Sequence, residues 1–328
     1  MSRLREPAEA AKRPDASGER RAMATQAQQS MRVGVIGLGS MGLGVARSLL
    51  RAGFEVHAFD VRREAVEGFR REGGRASATP AELGRQVEAV ITLVVSSDQT
   101  DQVLFGQDGA APALAKGSVV ITSATVAPEY AAALGERLDR MDLLHIDAPV
   151  SGGAAKAAAG QLSIMASGSP AAFERCRPVL DAIAAKVYRL GDASGQGSKV
   201  KMVNQLLAGV HIAAAAEAMA LCLKAGADPA VVYDVICNSA GSSWMFQNRV
   251  PHILAGDFTP LSAIGIFVKD LGIVLDSARR SGMPLPLTAA AHQMFLMAAA
   301  AGHGGEDDSA VIKIFPGVEL PRSAPKKE

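Results

Sequence analysis

The chain has 328 residues, enough for one large or two ordinary domains. Hydrophobic residues make up 48% and charged residues 20%, a globular composition that excludes intrinsic disorder for the bulk of the chain. Thirty-four basic against 33 acidic residues leave a net charge of +1, with no excess to draw nucleic acid or an anionic membrane.

Residues 1–30 are polar, charged and without periodicity. Glu6, Glu9, Asp15 and Glu19 sit among the arginines, unlike a basic, acid-poor transit peptide. This segment is expected to be a disordered extension, or the product of a start codon upstream of Met23 or Met31. From Met31 the pattern changes. Val33 to Ile36 is a short apolar run ending in glycine, and a helical stretch follows to about Arg51. A strand is predicted over Glu55 to Phe59, a helix near Arg63 to Arg71, and a strand over Ala89 to Val95. Ser118 to Ile121, Leu143 to Asp147 and Leu162 to Ala166 are further strand candidates. Strands alternating with helices imply a doubly wound, mostly parallel sheet, the α/β Rossmann-like class.

After about Val187 the strand signal stops. Helices are predicted over about Ser198 to Ala225, Pro229 to Asn238, Ile264 to Ser281 and Leu287 to Ala301, with Pro251, Pro260, Pro284 and Pro286 as punctuation. The expected organisation is a dinucleotide-binding domain over 31–193 and an all-α domain over 194–328, joined by a long helix. The most apolar stretch, Leu206 to Leu223, is interrupted by His211 and Glu217, so it reads as a buried helix and not a membrane span. A helix this apolar must bury nearly all round, which calls for a second protomer or for complete burial between the two domains of one chain. Cys176, Cys222 and Cys237 form neither a metal motif nor a disulfide framework and fit a reducing compartment such as the cytoplasm.

VGVIGLGSMG is the most informative motif. Gly37, Gly39 and Gly42 form GxGxxG between a predicted strand and a predicted helix, where backbone N–H groups and a helix N-terminus can meet a pyrophosphate. The whole loop, Gly37, Leu38, Gly39, Ser40, Met41 and Gly42, is the candidate cradle. Asp60 ends the second strand, where a carboxylate accepts hydrogen bonds from an adenosine ribose and repels a 2′-phosphate. This favours NAD over NADP, although Arg62 and Arg63 follow directly and an arginine can pair with that phosphate.

A dehydrogenase needs a group to take the alcohol proton as hydride leaves. His57 and His145 fall in predicted strands, His211 inside the apolar helix, and His252, His292 and His303 lack acidic partner spacing; all read as structural. No zinc-ligand cluster is present. Lys201 is the better candidate: it lies one turn into the long helix, shares a face with Asn204 and Gln205, and can lose its proton when desolvated. Residue type and spacing leave open a solvated lysine beside Lys199. In DAPVSGG, the N–H groups of Ser151, Gly152 and Gly153 with the serine hydroxyl can form a nest for a substrate carboxylate; a plain Gly-rich turn is the alternative.

GLGSMG, DAPVSGG, GQGSKVKMVNQ and FVKDLG, in that order and spacing, resemble the β-hydroxyacid dehydrogenase family over Arg32 to Phe315. The resemblance implies a Rossmann domain joined to an all-α domain, reversible oxidation of small hydroxy acids with NAD or NADP and no metal, and homodimers or homotetramers. It implies that Lys201 is the catalytic lysine, that Ser151, Gly152 and Gly153 hold the substrate carboxylate, and that Asn204 contacts substrate. Gln205 stands where many members carry a second Asn. Thr125 and Lys269 match cofactor-proximal positions. Val95-Ser96-Ser97 departs from the family's common Leu-Pro-Asn. SSWMFQNRVPHIL (Ser242 to Leu254), FVKDLGIVLDSA and GGEDDSAVIKIF carry the likeness to members that oxidise C2 of a four-carbon sugar acid. The polar residues of the first segment suit a polyhydroxylated substrate. Activity on 3-hydroxyisobutyrate or a tartronate semialdehyde-type substrate, and a non-catalytic dinucleotide-binding module, stand as alternatives.

Overall fold

The structure is a computed structural model that describes residues 31–321, so the extension expected over 1–30 lies outside the described residues. In chain order the first part runs β1 (Arg32–Ile36), α1 (Gly42–Arg51), β2 (Glu55–Phe59), α2 (Arg63–Arg71), β3 (Arg75–Ala76), α3 (Pro80–Gly84), β4 (Ala89–Thr92), α4 (Ser97–Phe105), β5 (Val119–Thr122), α5 (Pro128–Asp139) and β6 (Leu144–Asp147). It continues with β7 (Val150–Ser151), α6 (Gly153–Ala159), β8 (Leu162–Gly168), α7 (Pro170–Ile183) and β9 (Ala184–Arg189). The second part is α8 (Gln196–Lys224), α9 (Pro229–Cys237), α10 (Trp244–Ala255), α11 (Ile264–Arg280) and α12 (Pro286–Ala298), then a π turn to His303 and a 3₁₀ segment over Asp308–Ile314.

The sheet order is β3-β2-β1-β4-β5-β6-β8-β7, with β9 on β8. The first six strands are parallel, and β8 turns antiparallel to β6. This is the doubly wound arrangement the apolar runs predict. The period-two pleat divides each strand between two cores. In β4, Ala89 and Ile91 pack with Val45 and Leu49 of α1, while Val90 packs with Leu83 of α3 and Leu104 of α4. In β5, Val119 and Ile121 take the first face and Val120 the second. Burial on both faces is why these strands read as unbroken apolar runs.

Four expectations need correction. β9 is absent from the strand candidates: it pairs with β8, but its half-exposed pattern hides it from an apolar-run reading. The strand expected over Ala89 to Val95 ends at Thr92, because the chain turns there into the loop before α4. The last long helix stops at Ala298 and unwinds into the π turn that holds Gly302 at φ 94°. The helix α10 was not predicted, because Pro251 lies inside it. Proline has no N–H to give the carbonyl four residues back. The Tyr233 hydroxyl of α9 donates to that carbonyl, Gln247 O, at 3.1 Å and satisfies it.

By length and composition α8 could cross a membrane, but here it packs against β8, α5, α10, α11 and α12. Its buried positions, Ser198, Lys201, Gln205, Gly209, Ile212, Ala216 and Met219 among them, form one stripe at helical spacing. Within one chain it is not buried all round: Val203, Leu207 and Leu221 are 56%, 49% and 70% exposed. The start of α8 is pinned to the sheet by Asp147 at the end of β6. Its carboxylate accepts from Gly195 N at 3.0 Å, Ser198 N at 2.9 Å, Ser198 Oγ at 2.7 Å and Ser167 Oγ at 3.3 Å.

Candidate active site

A cleft of about 1090 Å³ opens between the sheet and the helical part. One wall is built from the segments just past the carboxyl ends of β1, β4 and β5: Gly39 to Met41, Leu93 to Val95, and Ser123 to Thr125. Strand order reverses between β1 and β4, the place where doubly wound sheets take their ligands. The other walls come from the loop before α6, from α8, from α10 and from the start of α11. The cleft thus brings together Gly39, Ser40, Met41, Thr125, Ser151, Gly152, Gly153, Lys201, Asn204, Gln205 and Lys269. Gly37, Leu38, Gly42 and Asp60 are not among the residues that line it.

The glycine loop fits a dinucleotide. A Cβ on Gly42 would lie 1.8 Å from Gly37 O, so only glycine lets α1 start against the loop. Gly39, by contrast, has open space around its would-be Cβ. The bare backbone there faces the cleft, where a phosphate can approach. Asp60 Oδ2 accepts from Leu38 N at 2.7 Å and so holds the loop to the end of β2. Arg62 lies on the same carboxylate, with Nε 3.0 Å from Oδ1, and its Nη2 donates to Leu38 O at 3.1 Å. Burial pushes the Asp60 carboxyl up, but the hydrogen bonds from Arg62 and Leu38 outweigh it and hold the group below the usual carboxylate range. The Asp60 carboxylate that was expected to face a ribose is therefore already shared with Arg62.

Lys201 is buried, which excludes the solvated alternative. Its Nζ donates to Val150 O at 2.9 Å, beside the Ser151–Gly153 loop. Burial lowers its pKa to about 8; Asp270 acts in the opposite direction and Lys269 adds to the lowering. A chain of polar contacts lies alongside. Asn204 Nδ2 donates to Gln205 Oε1 at 3.0 Å, and Gln205 Nε2 donates to Asp270 Oδ2 at 2.5 Å. Lys269 Nζ donates to Asp270 Oδ1 at 2.5 Å and to Thr125 O at 2.9 Å. Gln205 is thus engaged through both ends of its amide. Thr125 meets Lys269 through its backbone carbonyl.

Two cleft residues, Asp270 and Lys156, are not found by the sequence, and a third, His211, is expected there to be structural. Asp270 is buried and ties α8 to α11; it stands directly after Lys269 in FVKDLG, so the motif contained the signal. Lys156 lies over Gly152, where a Cβ would come within 2.8 Å of its Cδ. It adds a cation beside the nest, and nothing in its Ala-rich surroundings marks it. His211 lines the cleft rather than a core. His145 is structural as expected: it sits between Thr122 Oγ1 at 2.9 Å and Ser194 Oγ at 2.7 Å, and burial lowers its pKa to about 3.

Comparisons with known proteins agree with this geometry. The family model for the NAD binding domain of 6-phosphogluconate dehydrogenase matches residues 32–191. The model for the NAD-binding region of NADP-dependent 3-hydroxyisobutyrate dehydrogenase matches residues 195–315. The L-threonate dehydrogenase of Cupriavidus necator is 65% identical over 295 residues, covering 90% of this chain and 99% of that protein. The L-threonate dehydrogenase of Escherichia coli K12 is 51% identical over 290 residues, covering 88% and 96%. A crystal structure described as 3-hydroxyisobutyrate dehydrogenase (ygbJ) from Salmonella typhimurium superposes with a TM-score of 0.84 at 52% identity, covering 87% of this chain and 100% of that one. Cradle, cleft and kinship define an NAD-dependent hydroxyacid dehydrogenase. The chain belongs to the β-hydroxyacid dehydrogenase family, whose 3-hydroxyisobutyrate dehydrogenase-like members cover nearly its whole described length.

Proposed function

We propose that this chain oxidises the C2 hydroxyl of L-threonate to the 2-oxo acid, with Lys201 as the general base. The observation that carries the mechanism is the buried Lys201 amine, held by Val150 O in a cleft it shares with the glycine loop. The substrate rests on the 65% identity to a protein named for L-threonate. The loop from Gly37 to Gly42, Asp60, Thr125 and Lys269 would hold NAD, which would supply the hydride acceptor.

The chain's own residues do the rest. The N–H groups of Ser151, Gly152 and Gly153 and the Ser151 hydroxyl receive the substrate carboxylate, with Lys156 adding positive charge. Neutral Lys201 keeps one N–H on Val150 O and turns its lone pair to the C2 hydroxyl. It takes the hydroxyl proton as the C–H bond breaks, and in reduction the ammonium returns it. Asn204, oriented by Gln205, and through it by Asp270, is placed to hold the reacting oxygen. Residues 31–193 serve as the cofactor half and 194–328 as the substrate and oligomerisation half. The exposed Val203, Leu207 and Leu221 of α8 support association of a second copy, as a homodimer or homotetramer, in the cytoplasm.

The test is NADH formation with purified protein and a panel of L-threonate, D-threonate, D-erythronate, D-glycerate and 3-hydroxyisobutyrate, repeated with NADP. L-threonate with NAD should give the highest kcat/KM. The name of the Salmonella structure favours 3-hydroxyisobutyrate as the second reading, and a preference for that acid would replace the threonate assignment. Sedimentation at micromolar concentration checks the assembly, and a monomer would rule the oligomer out.

A further inference from the structure

The wall of the cleft formed by α10 carries a polar arrangement that the mechanism above does not use. Trp244 and Asn248 are one turn apart on this helix, and both line the cleft that holds Lys201 and Ser151. Behind Asn248 lies a buried ion pair. Asp308 is fully buried, and both its oxygens are engaged by Arg249, with Nε at 2.5 Å and Nη2 at 3.1 Å. The remaining terminal nitrogen of the guanidinium, Nη1, donates to Asn248 Oδ1.

This fixes what Asn248 can offer. A guanidinium has donors only, so the amide end that faces it must be the oxygen. The amide is planar, so its nitrogen is left at the other end. Among the described residues Nδ2 has no hydrogen-bond acceptor. Asn248 lines the cleft, so this N–H is the donor its half-buried side chain has left to offer there. Arg249 does not itself serve as a second carboxylate receptor, because Asp308 cancels its charge and occupies its fork. What the wall presents is a single neutral donor, which suits a hydroxyl oxygen.

We propose that Asn248 is a specificity-determining residue whose Nδ2 binds a substrate hydroxyl beyond C2, with the Asp308–Arg249 pair as its positioning device. The proposal deepens the sugar-acid reading and rests on it for the presence of such a hydroxyl. It adds the atom that recognises the distal hydroxyl and the reason that atom is a donor. An acid that lacks the hydroxyl leaves the N–H unmatched when it enters, so the site favours polyhydroxylated over plain or branched aliphatic acids.

The experiment compares wild type with Asn248→Ala and Asn248→Leu. The first removes the donor and leaves room for water; the second removes it while keeping the volume. Two quantities are read with NAD present: kcat/KM for L-threonate, and the competitive inhibition constant of 2-hydroxybutyrate, which has the same carbon chain without the distal hydroxyls. Losing one matched hydrogen bond lowers kcat/KM for L-threonate roughly tenfold in both variants. The inhibition constant moves less than about twofold, which also reports an intact fold and carboxylate loop. Equal loss on both compounds, or no loss on L-threonate, overturns the proposal. The threonate reading is judged on wild type alone. If wild type prefers another polyhydroxylated acid, that reading fails, and the same comparison is made with that acid and its deoxy analogue. If wild type prefers an acid with no distal hydroxyl, both fall.

Discussion

Ser198 Oγ donates to Asp147 Oδ1 at 2.7 Å, across the junction between the sheet and the helical part. Asp147 ends β6 and Ser198 lies in the first turn of α8, one turn before Lys201. The contact therefore sets where the proposed base stands relative to the sheet. Burial pushes the Asp147 carboxyl up, while the hydrogen bonds from Ser198, Gly195 and Ser167 pull it down. Asp147→Ala removes the acceptor and leaves these buried donors unpaired. A loss of about 3 kcal/mol or more is expected, read as a lower midpoint in chemical denaturation. An unchanged midpoint would show that the start of α8 is held by packing alone.

Lys201→Ala should lower kcat for hydroxy-acid oxidation by about 10²- to 10⁴-fold, the range of a positioned acid–base group. Binding of NAD should persist, as read by quenching or titration calorimetry, because the glycine loop and Asp60 are untouched. A variant that keeps near-normal turnover would remove Lys201 from the mechanism.

The lowered pKa of Lys201 gives a signed pH dependence. Below about 8 the amine is mostly protonated and cannot accept the hydroxyl proton; above it the amine is mostly neutral. The rate of oxidation should rise with pH through about 8, and the rate of reduction should fall through the same region. Bound oxidised cofactor adds positive charge and moves the inflection lower. A flat oxidative profile between pH 6 and 9 would count against the assignment, provided chemistry limits turnover.

Asp60→Ser should shift cofactor choice. The substitution removes the carboxylate that repels a 2′-phosphate and also releases the Arg62 guanidinium that the carboxylate holds. NADP should gain about tenfold in kcat/KM and NAD should lose a similar factor, measured side by side. No change in the ratio would mean that the adenosine ribose is read elsewhere.

The parts of this protein that were legible in the sequence are those whose chemistry is local. GLGSMG carries its own turn, and Asp60 stands at the end of its own strand. Lys201 and Asn204 share a helix face by spacing alone. The parts that were not legible depend on distant segments meeting. Asp270 matters because it contacts Gln205, 65 residues away. Asn248 is aimed by Arg249, which is held by Asp308, 59 residues on. The helix α10 was hidden by Pro251, whose missing hydrogen bond is made good by Tyr233 from another helix. β9 was hidden because an exposed strand lacks the apolar run that marks a buried one.

One continuous helix of 29 residues starts at the sheet, carries Lys201 near its first turns and ends in the helical core. A residue inserted between Ser198 and Lys201 would rotate the amine about 100° away from the cleft. The same insertion between Lys201 and the helical core would leave the amine in place and turn the whole helical part instead. Neither error can be absorbed locally, so the length of this segment is not free to drift. The loops on either side of α10 carry no such constraint: a change of length there leaves Lys201 and its distance from the sheet untouched, while the buried Arg249–Asp308 pair keeps α10 itself in place.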